Sequence, residues 1–578
     1  MATTRTTRYT PGVYVTELPA FAPSIVGVGT AVPIFIGYTQ FARNPSTQKQ
    51  AYMQAVPLSS LADYYSWFGD TFDAKFKVVP GDKDHYDFQT QKQKADDKGE
   101  PIVDDAGNAD YETNYYKIVA NKSASDNDDS TQTVQFNLAA AIKLFYSNGG
   151  GNCYVVSVND YYGTKATEPT TDASLEPKPV NKDELLDGLK IVAQDTVGPT
   201  MTVVPDACLL DPDPKKKKED PDTYNNYGEV IVVMVNQAAE LQDRVAILDL
   251  PGSMNPNKWN KAGLAEMRTA FWDQIGKANN PSYGAAYAPT LKTTTWGEAD
   301  IDYTNLQADQ ASSDLMKSLL QAQLDQTYPK GTAKNTEVQA KLDRAFPSSL
   351  SASEVTSASD IQSLDQYLVN ALPLLGQVEN ILLGKLNVAP PSGLMAGVWS
   401  RNDANRGVWN APANLSLISV ISPEVMLTDA DQGDYNVPLN GYAINIMRAF
   451  SGRGTVVWGA RTLMGNSPDF RYIQVRRTLI YIEQSIKTAL KPFVFTANTG
   501  QTWVTVCSMI SDFLTSLWTQ GGLMGDKASD AFNVQCGLGS TMTAKDILDG
   551  YMIVQVTLQL IRPAEFIELT FTQKMQES

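Results

Sequence analysis

Near the end of the chain, apolar and polar residues alternate with a clean period of two. Met552, Val554, Val556, Leu558 and Leu560 interleave with Tyr551, Ile553, Gln555, Thr557 and Gln559. That pattern predicts a strand over 551–560 with one face toward a core. After Ile561-Arg562-Pro563-Ala564-Glu565 a further strand is predicted over Phe566, Ile567, Glu568, Leu569, Thr570 and Phe571. A short one is predicted near the start, where Val13 and Val15 face one side and Tyr14 and Thr16 the other. No neighbouring segment offers that strand a hairpin partner. In the stretch 452–463, the β-branched run ending in Trp458-Gly459-Ala460-Arg461 reads as a buried strand leaving a glycine turn.

A period of 3.6 predicts helices over 138–146, 229–240, 261–272 and 469–490. The last has Ile473, Ile480 and Tyr481, or else Tyr472, Val475, Leu479, Ile482 and Ile486, as its apolar side. Another helix opens at Thr499, carries Trp503, Val506, Ile510, Phe513, Leu514 and Leu517 at three- and four-residue spacing, and stops at Gly521-Gly522. Strands over 153–158, 201–205 and 244–250 alternate with the earlier helices, which implies a sheet with helices packed on it. Strand material is also expected around Pro390 within 386–398. The apolar stretch 21–38 is broken by Pro23, Pro33 and three glycines, and reads as a buried loop and strand rather than a membrane span. Four polar stretches, 81–130, 160–182, 211–227 and 293–363, break the rhythm and read as surface insertions or loops. The Lys215–Lys218 run among acidic neighbours reads as a solvated loop tip.

With 578 residues the chain is too long for a single core. Its net charge of −17 is unevenly spread. Residues 384–578 hold 15 basic and 15 acidic side chains, so the first 383 hold the remaining 32 and 49. An acidic surface of this kind argues against nucleic-acid binding. Four scattered cysteines with no CxxC pair give neither a zinc site nor a disulfide framework. The single histidine, His85, excludes a multi-histidine metal site within one chain. No apolar core of a secretory signal is visible in 1–8, so synthesis in the bacterial cytoplasm is expected.

The candidate chemistry is thin. Gly521-Gly522-Leu523-Met524-Gly525-Asp526-Lys527 departs from a phosphate loop, because a helix precedes it and Asp526 separates Gly525 from Lys527. Asp249-Leu250-Pro251-Gly252 has the look of the metal-binding end of a nucleotidase strand, yet no phosphate loop accompanies it. An α/β nucleotidase built on Asp249 is the enzymatic alternative.

Several separated segments resemble contractile tail sheath proteins. They are the PGVYVTE arm with APSIVGVGTAVPIFIGYT, NGGGNCYVV, PSGLMAGVWSRNDANRGVWNAPAN, NGYAINIMRAFSGRGTVVWGARTL, RYIQVRRTLIYIEQSI, TWVTVCSMISDFLTSLWTQGGLMGD, AFNVQCG and RPAEFIELTF. Their order covers essentially all of the last 195 residues and scattered parts of the first 290. AVPIFIGYT favours sheaths of extracellular phage-tail-like injection systems, with the myophage tail sheath as the alternative.

The resemblance implies a mixed α/β (α+β) fold. A shared inner domain would combine a 1–20 strand arm with 384–578, and an α/β middle region, 21–383, would carry insertions near 81–130 and 293–363. It implies that Val13–Thr16 and Phe566–Phe571 are arms joining neighbouring copies. The implied partners are other copies, an inner tube protein, baseplate proteins and a terminator or cap. No cofactor, metal, catalytic residue, nucleic acid or direct membrane insertion is implied, and the mature form would lie in a phage-tail-like particle or virion tail. Tube contact would fall to Arg471, Arg476, Arg477 and Lys527, although these arginines read equally well as ordinary helix-surface charges.

Overall fold

A computed structural model describes residues 24–94, 111–120, 136–169, 176–195, 198–210, 224–350, 355 and 357–570. The described chain divides into two compact units. The larger comprises 29–480 together with the segment from Arg562 onward, and the smaller comprises 24–28 and 481–561.

The larger unit is organised by an eight-stranded sheet. Strand Pro33–Thr39 pairs in parallel with Cys153–Asp160 on one side and Met201–Val203 on the other. Val245–Leu248, Gly284–Ala288 and Ile444–Phe450 then follow in parallel order. Two antiparallel strands, Val56–Leu58 and Gly454–Val457, close the edges. Every residue of the PIFIGYT strand is buried, because helices cover both faces and a central parallel strand therefore needs no polar side. Phe35 points into a core with helices Leu138–Ser147 and Pro391–Arg406, while Ile34 and Ile36 point into the opposite core with Lys182–Asp195, Asn225–Leu241 and Lys261–Ile275.

This topology corrects the boundary expected at 384. Ile444–Phe450 pairs with Gly284–Ala288, so residues on both sides of that boundary share one sheet. The strand material expected around Pro390 shrinks to Val388–Ala389, and the helix Pro391–Arg406 begins immediately afterwards. Proline fits the first helical turn, where its missing N–H would have had no partner anyway. Asp249 supplies the cap, accepting from the Ser392 backbone N–H at 2.8 Å and from the Ser392 hydroxyl.

Two of the polar stretches read as surface insertions or loops contain regular structure. Phe88–Gln93 and Tyr111–Ala120 pair antiparallel, and Phe76–Pro80 lies along the other edge of Tyr111–Ala120. Within 293–363 lie the helices Gln310–Thr327, Ala333–Ala345 and the first turns of Ala358–Ala371. With Pro373–Leu386 they share a third core containing Phe76, Phe88, Met316, Leu320, Leu324, Val338, Leu342, Leu364 and Leu368. The Lys215–Lys218 run lies outside the described residues.

In the smaller unit the helix Gly500–Thr519 starts after Thr499 and ends as the glycine pair foretells. Gly521 sits at φ +79°, its N–H donates to Trp518 O, and the Gly522 N–H donates to Leu517 O. This is the paired six-to-one and five-to-two closure of a Schellman motif. The helix packs against Phe532–Gln535, which pairs antiparallel with Gln555–Leu558. The strand expected over 551–560 is thus confined to four residues, but its alternation is kept. Met552, Val554, Val556, Leu558 and Leu560 are half-buried, and the residues between them are exposed.

Candidate assembly interface

The two-stranded ribbon of the smaller unit has no third strand among the described residues. Among the described residues no strand pairs with its outer edges, and an isolated pair of strands is at best marginally stable. Exposed apolar side chains are frequent in the same unit. Val494, Phe495, Val504, Met524, Leu548 and Tyr551 are each more than half exposed. Phe495 also adopts φ +69°, a conformation uncommon outside glycine. Sequence reasoning missed this group; the signal available was an apolar triplet, Phe493-Val494-Phe495, inside a connection between helices.

The segment expected as the C-terminal arm leaves the ribbon at Ile561 and belongs to the larger unit from Arg562. Glu565 is held firmly. Its carboxylate accepts from Arg461 Nε at 2.9 Å, Arg461 Nη2 at 2.7 Å, the Tyr472 hydroxyl at 2.8 Å and Asn436 Nδ2 at 2.8 Å. Burial by itself would raise this carboxyl, but the Arg461, Asn436 and Tyr472 donors and the Arg461 charge hold it below the ordinary carboxylate range. Immediately beyond, the chain changes character. Phe566, Ile567 and Leu569 are 75–79% exposed, and 566–570 form no strand. Phe571 and the expected arm Val13–Thr16 lie outside the described residues.

The arginines expected to meet a tube are not equivalent. Arg477 is buried, donates to both oxygens of Asp403 at 2.8 and 2.6 Å and to Thr30 O at 2.8 Å, and stacks 4.6 Å above the Trp399 ring. Arg476 is buried between the Phe470 and Tyr283 rings and donates to the Ser282 hydroxyl at 2.8 Å. Neither side chain is at the surface of this chain. Their expected tube contact is corrected: both are internal braces, held by partners far away in sequence. Arg471 is partly exposed, and Lys527 is exposed at the N-cap of the short helix Ala528–Ala531.

The enzymatic alternative also changes meaning. Asp249 is bound to the first turn of Pro391–Arg406, as described above. Asp206 accepts from the Asn137 N–H at 2.6 Å and the Tyr38 N–H at 2.9 Å, at the start of Leu138–Ser147. Asp206 lies where the strand order of the parallel sheet reverses, between Pro33–Thr39 and Met201–Val203. In doubly wound sheets that crevice is where ligands bind. Here the carboxylate is spent on capping a helix.

Residues 466–574 match the model of the phage tail sheath C-terminal domain. Among solved structures, the chain is 25% identical to the sheath of an extracellular contractile injection system, PVC, in a complex described as contracted, with a TM-score of 0.51 over 99% of each chain. Over 466–574 the chain carries a phage tail sheath C-terminal domain, and as a whole it has the fold of contractile sheath proteins. The same fold occurs in the baseplate structure of the anti-feeding prophage, at 23% identity and a TM-score of 0.51, covering 98% of this chain and 100% of the other. No curated protein matches in direct sequence comparison. Among the described residues, no helix is long and apolar enough to cross a membrane.

Proposed function

We propose that this chain is the sheath subunit of an extracellular contractile injection particle. In that reading it assembles with copies of itself around an inner tube, between a baseplate and a terminator, and its contraction drives the tube into a target envelope. The carrying observation is the end-to-end likeness to the PVC sheath, which spans 99% of both chains.

The ribbon with open edges and the exposed 566–570 segment support arm exchange between copies. A six-residue arm adding to a ribbon edge would form about four to six ladder hydrogen bonds, each worth about 1 kcal/mol net. Each apolar side chain fully buried on docking would contribute about 1.5–3 kcal/mol. One such arm holds weakly, and many acting together hold by multivalency. Movement would come from a change in packing between subunits, with no nucleotide consumed. Of the expected tube contacts, Arg471 and Lys527 remain as candidates.

The test is negative-stain microscopy of the purified full chain. Wide hollow cylinders are expected. Deleting residues 1–16 or 566–578 should abolish them while leaving the far-ultraviolet circular dichroism of the subunit unchanged. Cylinders that persist in either deletion would refute the arm reading, and narrow tubes from the intact chain would point to a tube protein.

A further inference from the structure

Two sequence motifs separated by about a hundred residues meet at one ion pair. Arg461 ends the Trp458-Gly459-Ala460-Arg461 run that follows the edge strand Gly454–Val457, and Glu565 ends Arg562-Pro563-Ala564-Glu565. Arg461 has only 3% of its side chain exposed. It is fixed from behind as well as in front. Its Nη1 donates to Gly465 O at 2.8 Å, and its backbone N–H donates to Asn445 Oδ1 at 2.7 Å. Asn445 lies on the strand Ile444–Phe450, inside the eight-stranded sheet, and also donates to Ala286 O on the adjacent strand. Tyr472 and Asn436, the other two donors to Glu565, lie just before one helix and at the end of another. The carboxylate is thereby gripped from three sides, by a bidentate guanidinium and two neutral donors.

The position of this grip along the chain is what gives it a role. Immediately before it, Gln555–Leu558 pairs, among the described residues, with Phe532–Gln535. Immediately after it, 566–570 are exposed and make no hydrogen bond within the described chain. We infer that the Arg461–Glu565 clamp is the mechanical root of the C-terminal arm, a positioning pair that delivers the pull of a neighbouring copy into the eight-stranded sheet instead of into the ribbon.

This rests on the arm reading proposed above. Without the clamp, tension applied beyond Phe566 would run through 561–564 to the bonds of Gln559 with Met524 and Ala531, and then peel Gln555–Leu558 from its partner one hydrogen bond at a time. With the clamp, the pull stops at a charge-assisted, two-pronged contact, which is the strong class of hydrogen bond and one with fixed geometry. The ribbon then stays intact to receive arms from other copies while its own chain is under load.

The experiment is amide exchange read by mass spectrometry on the peptide spanning 553–561, in free subunits and in assembled cylinders. The proteins are the intact chain, Glu565→Gln, Arg461→Gln, Tyr472→Phe and the 566–578 deletion. Exchange in free subunits should be alike for the intact chain, Glu565→Gln and Tyr472→Phe. In cylinders, Glu565→Gln and Arg461→Gln should exchange this peptide about tenfold faster than the intact chain, and Tyr472→Phe, which keeps the ion pair, two- to threefold faster. A folded Glu565→Gln subunit that fails to form cylinders also supports the clamp. Equal rates in Glu565→Gln and intact cylinders overturn it, as does the same acceleration in free and assembled protein, which marks a merely structural contact. If Glu565→Gln does not fold, Tyr472→Phe decides by the same comparison. Cylinders from the 566–578 deletion would instead defeat the arm reading itself.

Discussion

Burial pushes the Asp249 carboxyl up to about 7, against the Ser392 hydrogen bonds that pull it down, and pushes Asp206 up to about 6 against three backbone N–H donors. Between the ordinary carboxylate range and pH 7, the folded chain therefore retains a proton on Asp249 that the unfolded chain has released. Stability from this group is greatest at the acid end of that window, falls as pH rises through it, and levels off above about 7. Asp249→Asn keeps an oxygen for the Ser392 N–H but cannot titrate. The stability of the intact chain relative to Asp249→Asn should accordingly decline from pH 4.5 to 7.5 in urea titrations; a constant difference would contradict the shift. Arg477→Met makes a different prediction. It strands a buried Asp403 without its partner and should cost about 3–5 kcal/mol, while Arg477→Met combined with Asp403→Leu should recover much of the loss, measured as urea midpoints. Arg476 and Arg477 were misplaced by sequence reasoning because a charge on a helix is ordinarily solvated. Asp403 and Trp399, which reverse that expectation for Arg477, lie more than seventy residues earlier in the chain.

Among the elements, the helices Leu138–Ser147 and Pro391–Arg406 are packed so closely that side chains are excluded at two points. A Cβ on Gly393 would lie 2.4 Å from Ala141 Cβ, and one on Gly397 would lie 2.4 Å from Phe145 O. Gly397→Ala should therefore destabilise the larger unit by about 1–3 kcal/mol, read as a lowered thermal midpoint, although alanine is the better helix former. Element identity was legible where the apolar period was dense, as in Leu138–Ser147, Asn225–Leu241 and Gly500–Thr519. Legibility failed in 293–363, because those helices bury only a thin stripe. Met316, Leu320 and Leu324, or Val338 and Leu342, are spaced by four in otherwise polar sequence. Their solvated faces dominated the composition, and the long-range partners Phe76 and Phe88 could not be seen from nearby residues. The ribbon shows the opposite case, where an alternation visible in ten residues fixed the buried face correctly and only the strand's length was overestimated.

At the scale of the whole molecule, the larger unit carries three extensive cores among its described residues, whereas the smaller contains a two-stranded ribbon that the proposed exchange of arms would extend. Anything that binds only the folded form raises its apparent stability by mass action. The melting of the smaller unit, followed through Trp503 and Trp518 fluorescence, should therefore rise with protein concentration, and this dependence should vanish in the 566–578 deletion. The clamp pair escaped the sequence reading for a related reason. WGAR and RPAEF were each visible as motifs, but their contact depends on a strand edge and a returning tail that only the folded chain brings together.

The open ribbon has a consequence for size. Under the proposed exchange of arms, each copy that accepts a strand would present the next copy with the same vacancy, so growth would meet no internal signal to stop. A filament made from this subunit alone should show a broad spread of lengths. A uniform length would have to be imposed from outside, by a ruler or a lid that fills the final row of unpaired edges.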